Sequence, residues 1–510
     1  MSRRHCLPSA LTNRRAGLLA GAACAAALAC WSAPPAAAAD YTAANEAQLQ
    51  AAVAAANADG DPSSTITLTA PMTLTDPATS LGAATKPVVI ANGLNTLTLA
   101  PLGGTAIFSG SLTGNTGLPV TGAGTIVLTG TNPFFGAVTI SAGGTLQLAA
   151  GGQITSASSA AIQGTGTLII TGAGSSFRTN GIVGVGNAGG SGAATLTVSD
   201  GGAFNAGGTF GISSSAGAVA SHVTVTSGGQ VTSRVVTLGS GTISTPQDST
   251  IVVSGNGTTW TNGINGVTVN QGSLSVLDGG SLSSASALIV GRVGTGTVLI
   301  SGAGSTLTAT STSVGTSASG TGILTVAEGG RFAVQGAVTL AAAAGTTGVL
   351  NIGGAEGAAA AAAGVVEAAS VAFGPGTGRI NFNHTDAGYV FAPAVTGAGT
   401  VTQAGPGTTI LTGDNTYTGT TTIAAGTLQL GNGGTTGGIA TDVTNNGSLA
   451  FNRSDSVTFA GAISGSGSVQ QSGSGVLALT GANTYSGGTF LNAARWRSRR
   501  MRRWARPPAA

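Results

Sequence analysis

The sequence is poor in the side chains from which most functional sites are built. Only 6% of its 510 residues are charged, 4% are aromatic, and there are three histidines and three cysteines. The cysteines are Cys6, Cys24 and Cys30, so a chain that loses its first 30 residues has no disulfide, no thiol nucleophile and no thiolate metal site. With so few large side chains, the sequence also lacks the material for conventional globular cores.

Common catalytic motifs are missing as well. The sequence has no Gly-x-Ser-x-Gly nucleophile elbow, no Gly-x-x-x-x-Gly-Lys phosphate loop and no His-Glu-x-x-His zinc motif. It also lacks the regularly placed aspartates of the calcium-binding β-helix nonapeptide. We therefore expect no catalytic residue, no cofactor and no metal ion, and we do not expect an enzyme.

What the sequence has in quantity is glycine, with 87 residues, and short alternating apolar segments. Residues 125–129, Thr-Ile-Val-Leu-Thr, are one example, and Gly-rich turns separate such segments from end to end. This pattern is typical of many short strands. A solenoid buries a thin continuous core of small and β-branched residues, which this composition supplies. We predict an all-β fold, a β-solenoid.

The body of the chain is acidic although the net charge is +3. Four arginines precede residue 16 and seven follow residue 494, while seven basic side chains and all 15 acidic ones lie between them, which leaves the body at −8. This charge argues against a nucleic-acid partner.

The N-terminus has the order of a secretory signal peptide. Arginines up to Arg15 precede an apolar run over 16–31, and three alanines end at Ala39 before Asp40. We predict a signal peptide over residues 1–39, cleaved between Ala39 and Asp40. The run is too short and too rich in alanine for a membrane span, so we expect no transmembrane segment. A twin-arginine signal and lipidation at Cys30 are weaker alternatives.

A helix is predicted directly after this leader. Within residues 43–58, Leu49, Val53 and Ala56 form a narrow apolar stripe at helical spacing, and a glycine and a proline follow. A short amphipathic helix before a solenoid would cover its open apolar end. We assign residues 40–60 to this N-terminal capping helix.

Two families of internal repeats follow. In the first, over residues 61–392, a Gly-x-Gly-(Ser/Thr) turn alternates with strands that end in Gly-Gly. Three such endings, at Gly229, Gly280 and Gly330, are 51 and 50 residues apart. That spacing predicts about two solenoid coils of roughly 20–25 residues each.

The second family reads strand, Thr-Gly, Asn, aromatic, Gly, and its copies cover 126–136, 410–419 and 477–487. Thr-Leu-Gln-Leu ends the first two copies, at 145–148 and 427–430. We predict structural roles for the recurring asparagines and tyrosines, with the asparagines in left-handed backbone and hydrogen-bonded along the stack. These residues are Asn132, Asn415, Asn483, Tyr417 and Tyr485.

This second family closely resembles the autotransporter-associated β-strand repeat, which we assign over 393–493. Segments 379–386 and 389–393 also look like passenger sequence of that group, and the resemblance covers most of residues 40–490. It implies an autotransporter passenger domain with the fold of a right-handed parallel β-helix. It further implies display outside the cell and transport by a C-terminal β-barrel translocator.

The third copy breaks off in residues 494–510. Where the repeat requires Gly-Thr-Leu-x-Leu, the chain has a run rich in arginine. Read from the last base of the Arg495 codon, GC-rich codons for this stretch encode Leu-Ala-Val-Ala-Ala-Asp-Ala-Ala-Leu, which continues the composition of the body. We hypothesise that 494–510 is frameshifted and that the translocator barrel is lost with it. The alternative is a basic tail for anionic membranes or nucleic acid.

Three residues were considered for chemistry. His384 and Asp386 could contact a metal ion or act in acid–base work, but we interpret them as polar residues on an exposed coil. We interpret Trp260 as a turn aromatic that covers the solenoid, in preference to a platform for sugars.

Two classes of function fit these features. We favour a non-catalytic exported surface protein for adhesion, autoaggregation or display, whose partners are surface glycans, surface proteins or further copies of itself. We expect the intact protein at the cell surface and the chain as it stands in the periplasm. The alternative is a secreted β-helix polysaccharide lyase or hydrolase. It would need an acidic cluster with a basic residue or calcium, whereas the 15 acidic residues are scattered.

Overall fold

The protein is a stack of short parallel strands. The structure, a computed structural model, describes residues 39–492 apart from 62, 82–87, 188–191, 216–219, 242–247 and 318. Residues 1–38 of the predicted signal peptide and the tail 494–510 lie outside the described residues. Successive strands of each sheet pair in parallel and in register, which confirms the predicted parallel β-solenoid. Its right-handed winding, the rule for parallel crossover connections, stays a prediction.

The described strands form five sheets, named A to E in the order in which they begin. Sheet A has 4 strands at the N-terminal end: Ala39–Ala43, Ser64–Leu68, Val88–Ala91 and Ser111–Thr113. Sheet B has 22 strands: Met72–Leu74, Leu97–Leu99, Leu118–Val120, Thr131–Asn132, Val138–Ile140, Gln153–Ala157, Ala160–Ile162, Ser176–Thr179, Val183–Val185, Ala203–Ile212, Gln230–Leu238, Thr259–Asn262, Val267–Val269, Ser281–Ser284, Leu288–Val290, Thr306–Ala309, Thr312–Val314, Arg331–Val334, Ala337–Leu340, Val365–Glu367, Ser370–Phe373 and Ala394–Thr396.

Sheet C has 16 strands: Thr105–Phe108, Thr125–Leu128, Thr145–Leu148, Thr167–Thr171, Thr195–Ser199, His222–Thr226, Thr250–Ser254, Gly272–Leu277, Thr295–Ser301, Thr321–Ala327, Thr347–Gly353, Thr377–Asn383, Gly399–Gln403, Thr421–Ile423, Val443–Asn445 and Ile463–Ser464. Sheet D has 6 strands: Tyr389–Phe391, Thr408–Leu411, Thr427–Leu430, Ser448–Phe451, Ser468–Gln471 and Thr489–Leu491. Sheet E pairs Val457–Phe459 with Leu477–Leu479.

Side chains alternate between a core face and an outer face along each strand. In sheet C, Leu146, Leu168, Leu196 and Val223 form one column through four successive coils, and all are fully buried. Burying one such side chain stabilises a fold by about 1.5–3 kcal/mol. The core can therefore remain thin, because every coil adds the same contribution.

The 50-residue spacing of the first repeat family corresponds to two coils. Leu274 pairs with Val298 and Val298 pairs with Leu324, so one complete coil lies between two Gly-Gly strands. This confirms the coil count predicted from the spacing.

The Gly-Gly endings are explained by the turn at 199–202. Asp200 and Gly201 both have positive φ, 53° and 79°, and the Gly202 amide closes the turn on the Ser199 carbonyl oxygen at 2.8 Å. Gly201 adopts this φ without strain. Gly202 is required for space, because a Cβ there would lie 2.5 Å from the carbonyl oxygen of Ile170 in the preceding coil. The same hydrogen-bonded turn recurs at 149–152, 226–229, 277–280 and 327–330.

Gly-x-Gly-(Ser/Thr) turns in neighbouring coils are bonded to these turns. Ser305 Oγ accepts a hydrogen bond from the Gly279 amide at 3.0 Å and donates one to the Ser301 carbonyl oxygen at 2.7 Å. Thr258 Oγ1 makes the equivalent pair of bonds, with the Gly228 amide of the neighbouring coil and the Ser254 carbonyl oxygen. A hydroxyl at this position joins one turn to the next, which explains why Ser or Thr ends the motif.

The N-terminal end holds a strand that the sequence analysis did not predict. Ala39–Ala43 pairs with Ser64–Leu68 as the first strand of sheet A. Its composition, Ala-Asp-Tyr-Thr-Ala, has no aliphatic alternation, so tertiary pairing alone identifies it as a strand. The predicted cleavage point between Ala39 and Asp40 lies within this strand.

The predicted capping helix follows and runs over Glu46–Ala58. It begins three residues later than the pattern indicated, because Asn45 caps it by accepting the Gln48 amide at 3.0 Å. The predicted stripe of Leu49, Val53 and Ala56 is buried together with Ala52. A second short helix, Pro77–Leu81, packs beside it.

The cross-section of the solenoid changes between residues 377 and 403. Sheet B ends at Ala394–Thr396, whereas sheet D begins at Tyr389–Phe391. The Thr-Leu-Gln-Leu strand consequently lies in sheet C in the first copy, 145–148, and in sheet D in the second, 427–430. We call residues 377–403 the junction.

Candidate functional sites

Asn415 forms hydrogen bonds with the backbone of three successive coils. Its Oδ1 accepts a hydrogen bond from the Val395 amide of the preceding coil at 2.9 Å. Its Nδ2 donates to the Gly438 carbonyl oxygen of the next coil at 2.9 Å and to that of Gly413 in its own turn at 2.8 Å. The side chain is buried, so it replaces water as the partner of all three backbone groups.

The other repeat residues have related positions. Asn132 bonds to the coils on both sides, and Asn483 bonds to the preceding coil and to its own turn. None of the three asparagines has a positive φ, so the left-handed backbone expected for them is wrong. Tyr417 is buried, its hydroxyl lies 2.7 Å from Thr421 Oγ1, and burial raises its pKa to about 12. The Tyr485 hydroxyl makes the matching contact, 2.6 Å from the Oγ1 of Thr489.

Replacing Asn415 with Ala should destabilise the surrounding coils. The change removes the partner of the buried Val395 amide, which costs about 1–3 kcal/mol, and the donor to two part-buried carbonyl oxygens, which water can replace in part. Asn415→Asp should be at least as damaging, because a carboxylate cannot donate to two carbonyl oxygens. Amide hydrogen exchange of residues 394–451 is the measurement. Asn446→Ala is the matched control, because in the described part of the chain its side chain bonds only to the exposed Ser466 of the next coil, where water can replace it. Equal exchange in both variants would contradict the bonding role.

His384 is the most unusual polar residue of the described chain, and the prediction that it lies on an exposed coil is wrong. It lies in the junction and is 0% exposed. Its Nε2 is 2.7 Å from Thr409 Oγ1, and its Nδ1 is 3.7 Å from Asp386 Oδ2. The ring centroid lies 5.2 Å from that of Tyr389. Asp386 remains at the surface and accepts the Ala363 amide at 2.6 Å.

Thr409, His384 and Asp386 place a hydroxyl, an imidazole and a carboxylate next to one another, as in a hydrolase triad. Their geometry argues against nucleophilic catalysis. Thr409 is fully buried and donates its proton to Gln403 Oε1 at 2.5 Å. Nε2 of His384 must then be the donor to Thr409, so it has no lone pair with which to activate a nucleophile. The arrangement is enclosed in the junction and offers no access to a substrate.

The burial of His384 predicts a pH-dependent stability. Desolvation lowers the pKa of His384 below its ordinary value of 6.5, and the Asp386 carboxylate opposes this shift in part. As the pH falls below about 6.5, the unfolded chain binds a proton at this residue before the folded chain does, so stability declines. The thermal midpoint should therefore fall more steeply between pH 7 and pH 5 in the wild type than in His384→Gln. Parallel profiles would contradict the assignment.

Trp260 lies in the core, so the prediction that it is a turn aromatic on the outside is wrong. It is 1% exposed, within strand Thr259–Asn262, and its Nε1 donates to Ser233 Oγ at 2.9 Å. Its ring meets that of Phe210 edge-on, with centroids 5.2 Å apart. A buried indole cannot be a platform for sugars.

The outer face of sheet B carries two columns of uncharged polar side chains in register across four coils. The first column is Gln230, Thr259, Ser281 and Thr306, and the second is Thr232, Thr261, Ser283 and Thr308. We call these eight residues the polar ladder. The sequence signal for the polar ladder is Thr-x-Thr or Ser-x-Ser after successive turns, and the sequence predictions above do not include it.

An ion pair ends the polar ladder. Arg331 follows Thr306 in the first column, and Glu367 follows Ala333 in the second. Their side chains form two hydrogen bonds, Nε to Oε1 at 3.0 Å and Nη2 to Oε2 at 2.5 Å. A groove of about 570 Å³ lies beside the pair, with Ser283 and Thr308 also in its lining.

Across residues 39–492, as far as they are described, no three His, Cys, Asp or Glu side chains are grouped to hold a metal ion. No helix in the same part of the chain is long and apolar enough to span a membrane.

Comparison with known proteins agrees with the repeat assignment. The family of passenger-associated transport repeats matches residues 120–148, 401–430 and 469–494, which include the three copies of the second repeat family. A curated relative, the adhesin BmaC autotransporter of Brucella suis biovar 1 (strain 1330), is 32% identical over 213 residues. That alignment covers 36% of this chain, and the chain spans only 6% of the relative.

A solved structure, the TibC-catalysed hyper-glycosylated fragment of TibA, matches 89% of this chain and 99% of that fragment. With 17% identity and a TM-score of 0.26, this likeness supports no conclusion. The solenoid, its repeats and the curated relative together support the predicted resemblance to an autotransporter passenger. The chain carries passenger-associated transport repeats at the three places where the sequence predicts the second repeat family, and it is similar to an autotransporter adhesin.

Proposed function

We propose that this passenger acts in adhesion at the cell surface and catalyses no reaction. The observation that carries the proposal is the polar ladder, a regular uncharged surface that presents hydroxyl and amide groups at the strand spacing of about 4.8 Å. The adhesin among the relatives supports it. The buried state of Thr409 and His384 supports the non-catalytic part, because the one triad-like group of the described residues is closed to substrates.

The test uses the exported chain itself. Labelled chain should bind saturably to epithelial cells or to bacteria of the producing strain, and it should release no reducing ends or unsaturated products from a panel of polysaccharides. Absence of binding to both cell types would overturn adhesion. Product release in proportion to the amount of protein would favour the polysaccharide lyase or hydrolase instead.

Export and processing are part of the same proposal. We expect mass spectrometry to find Asp40 as the first residue of the exported chain, because cleavage there leaves strand Ala39–Ala43 almost complete. Retention of residues 1–39 in the exported protein would contradict the assigned cleavage point.

A further inference from the structure

We propose that the polar ladder is a binding site for an extended neutral polysaccharide, which lies along the solenoid axis and reaches the Arg331–Glu367 pair. The proposal rests on the adhesive function inferred above and adds the chemical class of its ligand.

The polar ladder has the periodicity of the stacked strands. The eight ladder side chains repeat at every strand, so equivalent hydrogen-bonding groups recur at about 4.8 Å along the axis. A flat, extended sugar chain advances by about one strand spacing per residue. It can therefore place successive hydroxyl groups against successive coils, whereas a folded protein partner has no such repeat.

The polar ladder carries no net charge. The eight ladder positions are all uncharged, and Arg331 at their end is neutralised by Glu367 through two hydrogen bonds. Arg234 follows Thr232 on the same strand, and Arg178 occupies the second column two coils before Thr232. These two cations lie beside and before the ladder, and none lies among its eight positions. An acidic polysaccharide would require a row of such cations, so the surface fits a neutral chain.

The groove beside the Arg331–Glu367 pair has the size and the lining to hold a sugar ring. Its volume of about 570 Å³ exceeds that of a single sugar ring, and its lining combines the hydroxyls of Ser283 and Thr308 with the outward-facing alanines Ala285 and Ala333. Sugars present hydroxyl edges and apolar C–H faces, so both kinds of lining have a counterpart. The paired Arg331 and Glu367 can donate to and accept from sugar hydroxyls at the same end.

The outer face of sheet C provides an internal comparison. Its corresponding column contains Thr197 and Thr224 but is interrupted by Ile169, Val252 and Leu299. The adjacent column of sheet C, through Thr195, His222, Thr250 and Ser273, is polar throughout. Two adjacent columns without an apolar interruption therefore distinguish the polar ladder from this face.

The experiment is affinity electrophoresis of the full chain through gels that contain hydroxyethylcellulose, mixed-linkage β-glucan or galactomannan, with polygalacturonate as the acidic comparison. We expect at least one neutral polymer to retard the chain. The triple variant Thr232→Val, Thr261→Val and Thr308→Val should weaken this binding at least tenfold, because three ligand hydrogen bonds are lost while the β-branched shape is kept.

The matched control is Thr195→Val, Thr197→Val and Thr224→Val on sheet C, which should bind like the wild type. Circular dichroism of both triple variants excludes unfolding as the cause. Equal binding by both, retardation by polygalacturonate alone, or retardation by no polymer would overturn the proposal. Saturable cell binding without polysaccharide binding would refute this ligand and leave the adhesive function intact, whereas loss of both refutes both.

Discussion

Gly202→Ala should disrupt the coils on both sides of residue 202. The new Cβ would lie 2.5 Å from the Ile170 carbonyl oxygen and 3.0 Å from that of Ser199, and both are backbone atoms that cannot rotate away. Separation of the two coils would break their ladder of hydrogen bonds, so we expect a cost near the upper end of the usual range for overpacking, about 3 kcal/mol. Because solenoids need not unfold in one step, amide hydrogen exchange of strands Thr167–Thr171, Thr195–Ser199 and His222–Thr226 is the appropriate measurement.

Gly103→Ala is the matched control for this change. A Cβ at Gly103 has no heavy atom within 4 Å, and its φ is not positive. The control should leave hydrogen exchange and the thermal midpoint nearly unchanged. If the two substitutions had equal effects, the steric explanation of the Gly-Gly endings would be incorrect.

Trp260→Ala should have the largest effect of any single truncation of the core. It removes the largest fully buried side chain and its edge-on contact with Phe210, and it leaves Ser233 without the indole donor. Truncations of buried aromatic residues of this size cost about 3–5 kcal/mol. The free energy of opening coils 230–284, obtained from hydrogen exchange, is the quantity to compare.

Two variants separate the contributions at this position. Trp260→Phe keeps the ring contact and loses the hydrogen bond, so its cost should be clearly smaller. Phe135→Ala truncates an aromatic side chain that is 62% exposed and should change stability by about 0.5 kcal/mol or less. An effect of Trp260→Ala no greater than that of Phe135→Ala would refute the buried position.

The solenoid could be predicted from the sequence because its rules are local. Alternation within four or five residues determines which side chains of a strand such as Thr195–Ser199 face the core. The turn glycines are equally local, since positive φ and the lack of space for a Cβ act within one coil and its neighbour. The spacing between Gly280 and Gly330 was therefore sufficient to predict two coils.

Features that depend on distant partners were not predictable. His384 was interpreted as exposed because nothing near it in sequence shows that Thr409 and Tyr389 enclose it at the junction. Arg331 and Glu367 are 36 residues apart, so only the stacking of their strands reveals the ion pair. Trp260 was misplaced because its position directly after a glycine-rich turn suggested a turn residue, whereas it is the second residue of a strand.

The turns that end in Gly-Gly separate two properties that most proteins must adjust together. A strand of sheet B begins directly after each of these turns, whichever side chain occupies the second turn position: Ala150, Asp200, Ser227, Asp278 or Glu328. The number of coils determines the length of the solenoid. The side chains at this turn position determine the surface chemistry of each coil. Mutation at these turn positions can therefore change the surface of one coil without changing the number of coils or the length of the solenoid.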